Sequence, residues 1–214
     1  MLENNTYNSS ICSDNEDINE INFQKKEKVP SHTELINDTS SESLIDSSID
    51  TSIWIQESER VKQYQYDHSV SVFDVCSYIL KKLGKITTMK LQKLAYYCQA
   101  WSLVWDEEPL FKEEIEAWRN GPVIRELFYF HRGRFFVDSI PIGNPDILSN
   151  EQKETIDAVL DYYGNKSAQW LIDLSHMEEP WQKTREGVSF DEIGNRIINL
   201  DLIAEYYSSL PPAS

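Results

Sequence analysis

Histidines and acidic side chains are the first candidates for chemistry in this sequence, because they supply most metal ligands and most general acids and bases. The four histidines form no HExxH motif and no pair four residues apart, so nothing indicates a catalytic zinc site. The strongest cluster is His176-Met177-Glu178-Glu179, which carries the alternative of a metal-dependent hydrolase centred on His176. A metal there would need further ligands from elsewhere, whereas a histidine that hydrogen-bonds a neighbouring loop needs none. We therefore expect no catalytic residues and no bound metal.

The cysteines and glycines point away from redox and nucleotide chemistry. Cys12, Cys76 and Cys98 are odd in number, widely spaced and without a CxxC pair, so neither a disulfide framework nor a zinc ribbon is indicated. Cys76 and Cys98 fall on apolar helical stripes, where a thiol acts as a small hydrophobic side chain. The seven glycines stand alone at turns, so we find no phosphate-binding loop and expect no cofactor.

Charged side chains are abundant, but their arrangement is typical of solvated surface. Adjacent acids occur at Glu113-Glu114, Glu178-Glu179 and Asp191-Glu192. Basic residues collect at Lys81, Lys82, Lys85, Lys90 and Lys93. We interpret both sets as exposed faces rather than as acid–base pairs or a nucleic-acid site. The net charge of -16 also opposes binding to a phosphate backbone, so we expect no nucleic-acid partner.

The first 68 residues differ in composition from the remainder. Ser, Asn, Asp, Glu and Thr dominate residues 1–52 and cannot assemble a core, so residues 1–68 are predicted to be a disordered acidic N-terminal extension. An apolar patch there could form a short amphipathic helix against a partner, and the alternative is a tail with no specific role. The patch comprises Leu44, Ile45, Ile49, Ile53, Trp54 and Ile55. Without a signal-peptide pattern or a long apolar stretch, a cytoplasmic protein with no membrane contact is expected.

Residues 69–210 are predicted to form one mainly helical domain. Apolar residues at helical spacing predict a helix over 70–83 and a second from Thr87 or Thr88 to Trp105. Ser149 forms a capping box with Gln152, and this box begins another helix that Gly164 ends. Further helices are predicted to start at Ser167, at Pro180 and after Asn199, the last with Leu202, Ile203 and Tyr206 facing inward.

Between these helices the sequence predicts a small sheet. Residues 111–119 end in an alternating pattern that suits a strand, and Asn120-Gly121-Pro122 breaks it. Pro122 is predicted to open a third helix, and residues 135–137 to return as a strand paired with the first. The expected fold is a compact antiparallel helical bundle with a small β-hairpin or short sheet.

A pattern in residues 90–123 resembles a known family. It reads Lys90-Leu91-Gln92-Lys93-Leu94-Ala95-Tyr96-Tyr97-Cys98-Gln99-Ala100-Trp101, then Pro109-Leu110-Phe111, then Glu116-Ala117-Trp118-Arg119-Asn120-Gly121-Pro122-Val123. Leu174-Ser175-His176 and Pro180-Trp181 follow in the same order and at similar separations. Together these segments resemble the Panacea domain of SocA-like antitoxins and phage-associated proteins.

The resemblance implies an antitoxin that is not an enzyme and that neutralises a cognate toxin, encoded by an adjacent gene, through direct protein contact. For one branch of the family it implies instead an adaptor that delivers the toxin to a AAA+ protease. The positions that match the family motif are read as structural. They are Lys90, Leu91, Lys93, Trp118, Gly121, Pro122, Trp170, His176, Pro180 and Trp181.

Residues near the Asn120-Gly121 turn are the candidates for partner contact. Arg and Tyr are enriched at binding hot spots, and side chains around a turn present charge and aromatic edges to a partner. The predicted contact residues are Arg119, Asn120, Arg125, Glu126 and Tyr129.

Overall fold

The computed structural model describes residues 69–189 and 192–210. The predicted disordered extension, residues 1–68, and its apolar patch lie outside the described residues. Within the described part, the predicted fold class is confirmed: it is mainly helical with two small antiparallel sheets.

Seven α-helices and four short strands make up the described part. In chain order these are α1 (Val72–Leu83), β1 (Ile86–Thr87), α2 (Thr88–Trp105), β2 (Ile115–Trp118), β3 (Gly121–Ile124), α3 (Arg125–His131), β4 (Phe136–Val137), α4 (Asn150–Tyr163), α5 (Ala168–Met177), α6 (Glu179–Thr184) and α7 (Leu200–Ser209). One turn of 3-10 helix, Pro145–Ile147, precedes α4. No helix in these ranges is both long enough and apolar enough to cross a membrane.

Helix α2 runs through the centre of the core. It packs against α1, α4, α5 and α7, so it is buried on nearly every side from Leu91 to Ser102. Its aromatic side chains fill the core, and the Tyr97 ring stacks on Tyr163 with 4.2 Å between ring centroids. Burial of each large apolar side chain stabilises the fold by roughly 1.5–3 kcal/mol. This helix therefore fixes the position of every element that touches it.

The predicted helix caps are confirmed. The Ser149 hydroxyl accepts a hydrogen bond from the Gln152 N–H at 3.1 Å, and the Gln152 side chain accepts one from the Ser149 N–H at 3.0 Å. Ser167 and Asn199 cap α5 and α7 without a reciprocal bond: their side-chain oxygens accept from the N–H groups of Trp170 and Asp201. In α7, however, the buried aromatic residue is Tyr207, whereas the predicted Tyr206 is only partly buried.

The predicted strand pairing was wrong. β2 pairs with β3, directly across a two-residue turn of Arg119 and Asn120, and β4 pairs with β1 instead. Pro122 lies in β3 opposite Ala117, and α3 begins only at Arg125. A proline is tolerated in this two-stranded pair because a strand with a free edge has positions where no N–H is needed. The hairpin therefore has a turn of only two residues, and its second strand comes earlier in the chain than the sequence pattern predicted.

Candidate functional site

The turn between β2 and β3 is held by side chains from four other parts of the chain. Gly121, at the end of this turn, has φ +92°, a conformation that glycine adopts without strain. A Cβ atom at this position would lie 2.5 Å from the Ser175 hydroxyl oxygen and would also overlap the Lys93 ammonium. Glycine is therefore required both for the backbone angle and for the close approach of these two side chains.

Lys93 forms the first anchor of the turn. It is fully buried, and its ammonium donates hydrogen bonds to the carbonyl oxygens of Asn120 at 2.6 Å and Pro122 at 3.0 Å. The prediction that Lys93 lies on a solvated face was wrong, since its partners are main-chain atoms that carry no sequence signal. Burial lowers the pKa of Lys93 to about 7, and the nearby Glu178 acts in the opposite direction.

His176 and Trp181 form the second anchor. Their rings stack at 4.3 Å, and the Trp181 indole N–H donates to the Trp118 carbonyl at 2.8 Å. The His176 ring lies close to the main chain of Arg119, while its Nε2 atom is buried without a hydrogen-bond partner among the described residues. Burial, followed by the charge of Lys93, lowers the pKa of His176, so its ring favours the neutral form.

Glu178 lies behind this anchor, at the junction of α5 and α6. The prediction that it belongs to a solvated acidic pair was wrong, because only 3% of its surface is exposed. Burial raises its pKa to about 8, while Tyr207, Tyr97 and Lys93 favour the charged form. Its Oε2 atom is buried without a hydrogen-bond partner among the described residues. Glu179, the other member of the pair, is exposed and pairs with Lys183 at 2.6 Å.

Arg185 is a third anchor that sequence reasoning missed. Its buried guanidinium donates to the carbonyl oxygens of Ala117 at 2.9 Å, Glu192 at 2.8 Å and Ser189 at 2.9 Å, and it also reaches Ile193. A planar guanidinium can serve several acceptors at once, which explains why arginine stands here. Its sequence signal is a basic residue inside the Pro180 segment, and this signal does not distinguish a buried arginine from surface charge.

Gln92 is a fourth anchor and acts on β3. Its side-chain amide accepts from the Ile124 N–H at 2.9 Å and donates to the Ile124 carbonyl at 3.2 Å, as a neighbouring strand would. The same amide nitrogen lies 3.0 Å from Nε2 of His131. Gln99 clamps the main chain of Phe111 in the same manner. Both glutamines lie in α2, but the main-chain atoms that they bond are 32 and 12 residues away in the sequence.

A cavity of about 320 Å³ opens beside the anchored turn. Trp118, Arg119 and Asn120 line it, together with residues from the start of α2, from α3 and from the segment that follows α3. Two of the five predicted contact residues, Arg119 and Asn120, therefore lie at this cavity. The other three are exposed on α3 outside its lining: Arg125 pairs with Glu116, and Tyr129 is 60% exposed.

The remaining motif positions support the surrounding helices. Lys90 donates to the Gly164 carbonyl at 2.6 Å and so joins α2 to the end of α4. Leu91 is fully buried, Pro180 is buried in the first turn of α6, and Trp170 packs against the core. Among the described residues, no three His, Cys, Asp or Glu side chains are grouped so as to hold a metal ion.

The comparisons with known proteins agree with the sequence pattern. Residues 91–182 match the family model described as "Antitoxin SocA-like, Panacea domain". The match begins in α2 and ends in α6, so it contains three of the four anchors and leaves out Arg185. No curated protein and no solved structure matches the chain.

Proposed function

Given that residues 91–182 form a Panacea domain of the SocA-like antitoxin type, we propose that this protein is the antitoxin of a toxin–antitoxin pair. It neutralises its cognate toxin by direct protein contact, and the contact surface is centred on the turn between β2 and β3. The observation that carries this proposal is the convergence of matched family positions on one exposed turn. Lys93 and Trp181 bond the main chain between Trp118 and Pro122, and the His176 ring stacks on Trp181 beside it.

The anchoring of the turn supports a binding role. Lys93 and Arg185 are buried charges, and each uses its donors on main-chain carbonyls rather than on a carboxylate. Burying a charged side chain costs free energy. A turn that only connects two strands does not need this cost, so the anchoring favours a further role for the turn. A turn held in one conformation binds a partner without the entropy cost of being ordered at that moment.

The surface of the turn has the composition of a binding hot spot. Arg119 and Asn120 are exposed, and the partly buried Trp118 stands beside them at the cavity. Trp, Tyr and Arg dominate the energetics of protein interfaces. Arg125, Glu126 and Tyr129 extend the same surface along α3, where the Tyr129 and Phe128 rings pack edge to face. We therefore include all five residues in the contact surface, with Arg119 and Asn120 at its centre.

Co-expression with the product of the adjacent gene tests this function. The wild-type chain should restore the growth that this product arrests, and the two proteins should co-purify. Arg119→Ala and Asn120→Ala should weaken binding by on the order of tenfold or more. Lys112→Ala is the matched control, because Lys112 is exposed but lies outside the cavity lining. A neighbouring product that is neither toxic nor bound would contradict the proposal.

The half-life of the toxin distinguishes sequestration from delivery to a AAA+ protease. Sequestration leaves the half-life unchanged when the antitoxin is present, whereas delivery shortens it. We also propose that residues 1–68 are an extension and that 69–210 are the neutralising domain. Removal of residues 1–68 should then leave rescue of growth intact, and loss of rescue by a folded truncated chain would assign the extension a direct role.

A further inference from the structure

We propose that the cavity beside the β2–β3 turn binds an acidic segment of the partner, which inserts an apolar side chain and pairs a carboxylate with the arginines at the rim. The inference rests on the proposed antitoxin function and adds the chemistry that the partner must present. It concerns the cavity of about 320 Å³ that Trp118 and Arg119 border.

The charge of the cavity is opposite to that of the protein. Arg119, Arg132 and Arg134 line it, and among the described residues no Asp or Glu does. The whole chain, in contrast, carries a net charge of -16. A concave site lined by one sign of charge focuses its field and raises the local concentration of the opposite charge. An acidic segment is therefore attracted to this cavity and repelled by most of the remaining surface.

The start of α2 adds to the positive potential. Thr88 and Met89, in the first turn of α2, line the cavity, and this turn contains no acidic residue. The N-terminus of a helix carries a partial positive charge that favours an anion nearby. Gln92 and His131 at the same wall bond each other, and burial lowers the pKa of His131, so its ring favours the neutral form. The arginines and the helix end thus supply the positive charge.

The walls of the cavity are apolar. Its lining includes Met89, Trp118, Val123, Phe128 and Ile193. Trp118 and Phe128 pack edge to face at 4.8 Å, so these two rings present a fixed aromatic surface. The volume lies near the lower limit of the roughly 300–1,000 Å³ usual for binding pockets. It suits one large side chain together with its flanking backbone rather than a folded element.

The geometry of arginine selects a carboxylate on that segment. A guanidinium group presents paired N–H donors that match the two oxygens of a carboxylate. Arg132 and Arg134 follow α3 directly and are both exposed, and the Arg134 guanidinium lies 5.6 Å from the centre of the Phe130 ring. Both line the cavity together with Arg119, so more than one guanidinium is close to a segment bound there.

Synthetic peptides test the inference on the full-length protein. The probe is a fluorescently labelled peptide of Phe and Leu residues flanked by Asp and Glu, measured by fluorescence anisotropy. One control peptide has Asn and Gln in place of the acids, a second has Lys in their place, and a single-stranded oligonucleotide is the polyanion control. We expect the acidic peptide to bind on the order of tenfold more tightly than its amide counterpart, and to bind less tightly as salt is added.

Variants of the rim locate the binding. Arg132→Gln and Arg134→Gln should each weaken binding of the acidic peptide by several-fold and leave binding of the amide peptide unchanged. Lys112→Gln removes the same charge at an exposed site outside the cavity and should change little. Circular dichroism and thermal melting establish that each variant is folded. Equal binding of the acidic and amide peptides, tighter binding of the oligonucleotide, or an equal effect of Lys112→Gln would overturn the inference.

The same variants separate this inference from the antitoxin function. If the wild-type chain rescues growth and both rim variants rescue it equally well, the carboxylate site is wrong and the antitoxin function stands. If the wild-type chain fails to bind or neutralise the adjacent product while the acidic peptide still binds as expected, the function is wrong and the cavity chemistry stands.

Discussion

Lys93 and Asn120 are joined by a hydrogen bond of 2.6 Å from a buried ammonium to a main-chain carbonyl. The exposed side chain of Asn120 is thus positioned by a residue that no solvent reaches. Gly121 makes this contact possible, because it has no side chain to separate Lys93 from the turn. The site therefore depends on residues that its partner never touches.

The first prediction concerns Gly121→Ala. The substitution forces an alanine to φ +92° and places its Cβ against Lys93 and Ser175. Backbone strain at such an angle costs about 1–3 kcal/mol, and overpacking against the two side chains adds a comparable amount. Urea unfolding measures the total.

Gly187→Ala is the matched control for this prediction. Gly187 also has a positive φ, +76°, but a Cβ there would meet no atom within 4 Å. It therefore reports the strain alone, and the difference between the two variants reports the packing. Equal losses of stability would mean that Lys93 and Ser175 move aside freely.

The second prediction concerns the pH dependence that Glu178 creates. Its pKa is raised from 4.5 to about 8 in the folded protein, so the folded state retains a proton that the unfolded state releases. The contribution of Glu178 to stability is complete below about pH 4.5 and is lost as the pH rises through 8. Lys93 acts in the opposite sense: its pKa is lowered from 10.5 to about 7, so stability rises with pH between these values.

Glu178→Gln should remove the first of these two effects. The amide has the shape of the protonated carboxyl, so we expect little change near pH 4.5 and a more stable variant near pH 7. The free energy of unfolding of both proteins, measured in urea at several pH values, gives the difference curve. Because every other carboxylate is common to both proteins, that difference isolates Glu178. A difference that stays constant from about pH 4.5 to 8 would contradict the raised pKa.

The sequence predicted the helices because their signals are local. The Ser149 and Gln152 capping box and the Asn199 cap lie within three residues of the atoms they bond. Pro122 misled the prediction for the opposite reason. It suits the first turn of a helix, but pairing with Ala117 in the hairpin outweighs that local preference.

The site was only partly predictable. The Asn120-Gly121 motif placed Arg119 and Asn120 at a turn, where they lie, but the cavity beside them carries no sequence signal, and their contact with a partner stays a prediction. Lys93, Glu178 and Arg185 were read as surface charge or overlooked, although all three are buried. The partners of Lys93 lie 27 and 29 residues away, and those of Arg185 include a carbonyl 68 residues away. Charged residues are rarely fully buried, so composition and spacing favour the wrong interpretation at such positions.

The third prediction concerns Gln92→Glu. The amide nitrogen of Gln92 donates to the Ile124 carbonyl and lies 3.0 Å from Nε2 of His131. A carboxylate cannot donate, so the clamp on β3 loses one bond and a buried carbonyl loses its donor, at a cost of about 1–3 kcal/mol. The new negative charge beside the ring should raise the pKa of His131, which burial otherwise lowers.

Gln99→Glu is the control for Gln92→Glu. It disrupts the equivalent clamp on Phe111. Gln99 makes the same pair of main-chain hydrogen bonds to Phe111 that Gln92 makes to Ile124. Both variants should lose stability in urea unfolding, but only Gln92→Glu should shift the His131 titration followed by nuclear magnetic resonance. A shift of the same size in both variants would show that general loosening, rather than the local charge, governs His131.

The last prediction distinguishes the anchor of the turn from the core. Trp181→Phe preserves an aromatic ring to stack on His176 but removes the N–H that bonds the Trp118 carbonyl. Trp101→Phe makes the same change in the core, where the indole donates to the Tyr163 hydroxyl at 3.3 Å. Each lost hydrogen bond costs about 0.5–1.5 kcal/mol, so both variants should be less stable in urea. Only Trp181→Phe should weaken toxin binding at a temperature where both are folded, because only it releases the turn that carries Arg119. Calorimetric titration against the toxin measures this, and equal weakening by Trp101→Phe would show that binding follows overall stability rather than the conformation of the turn.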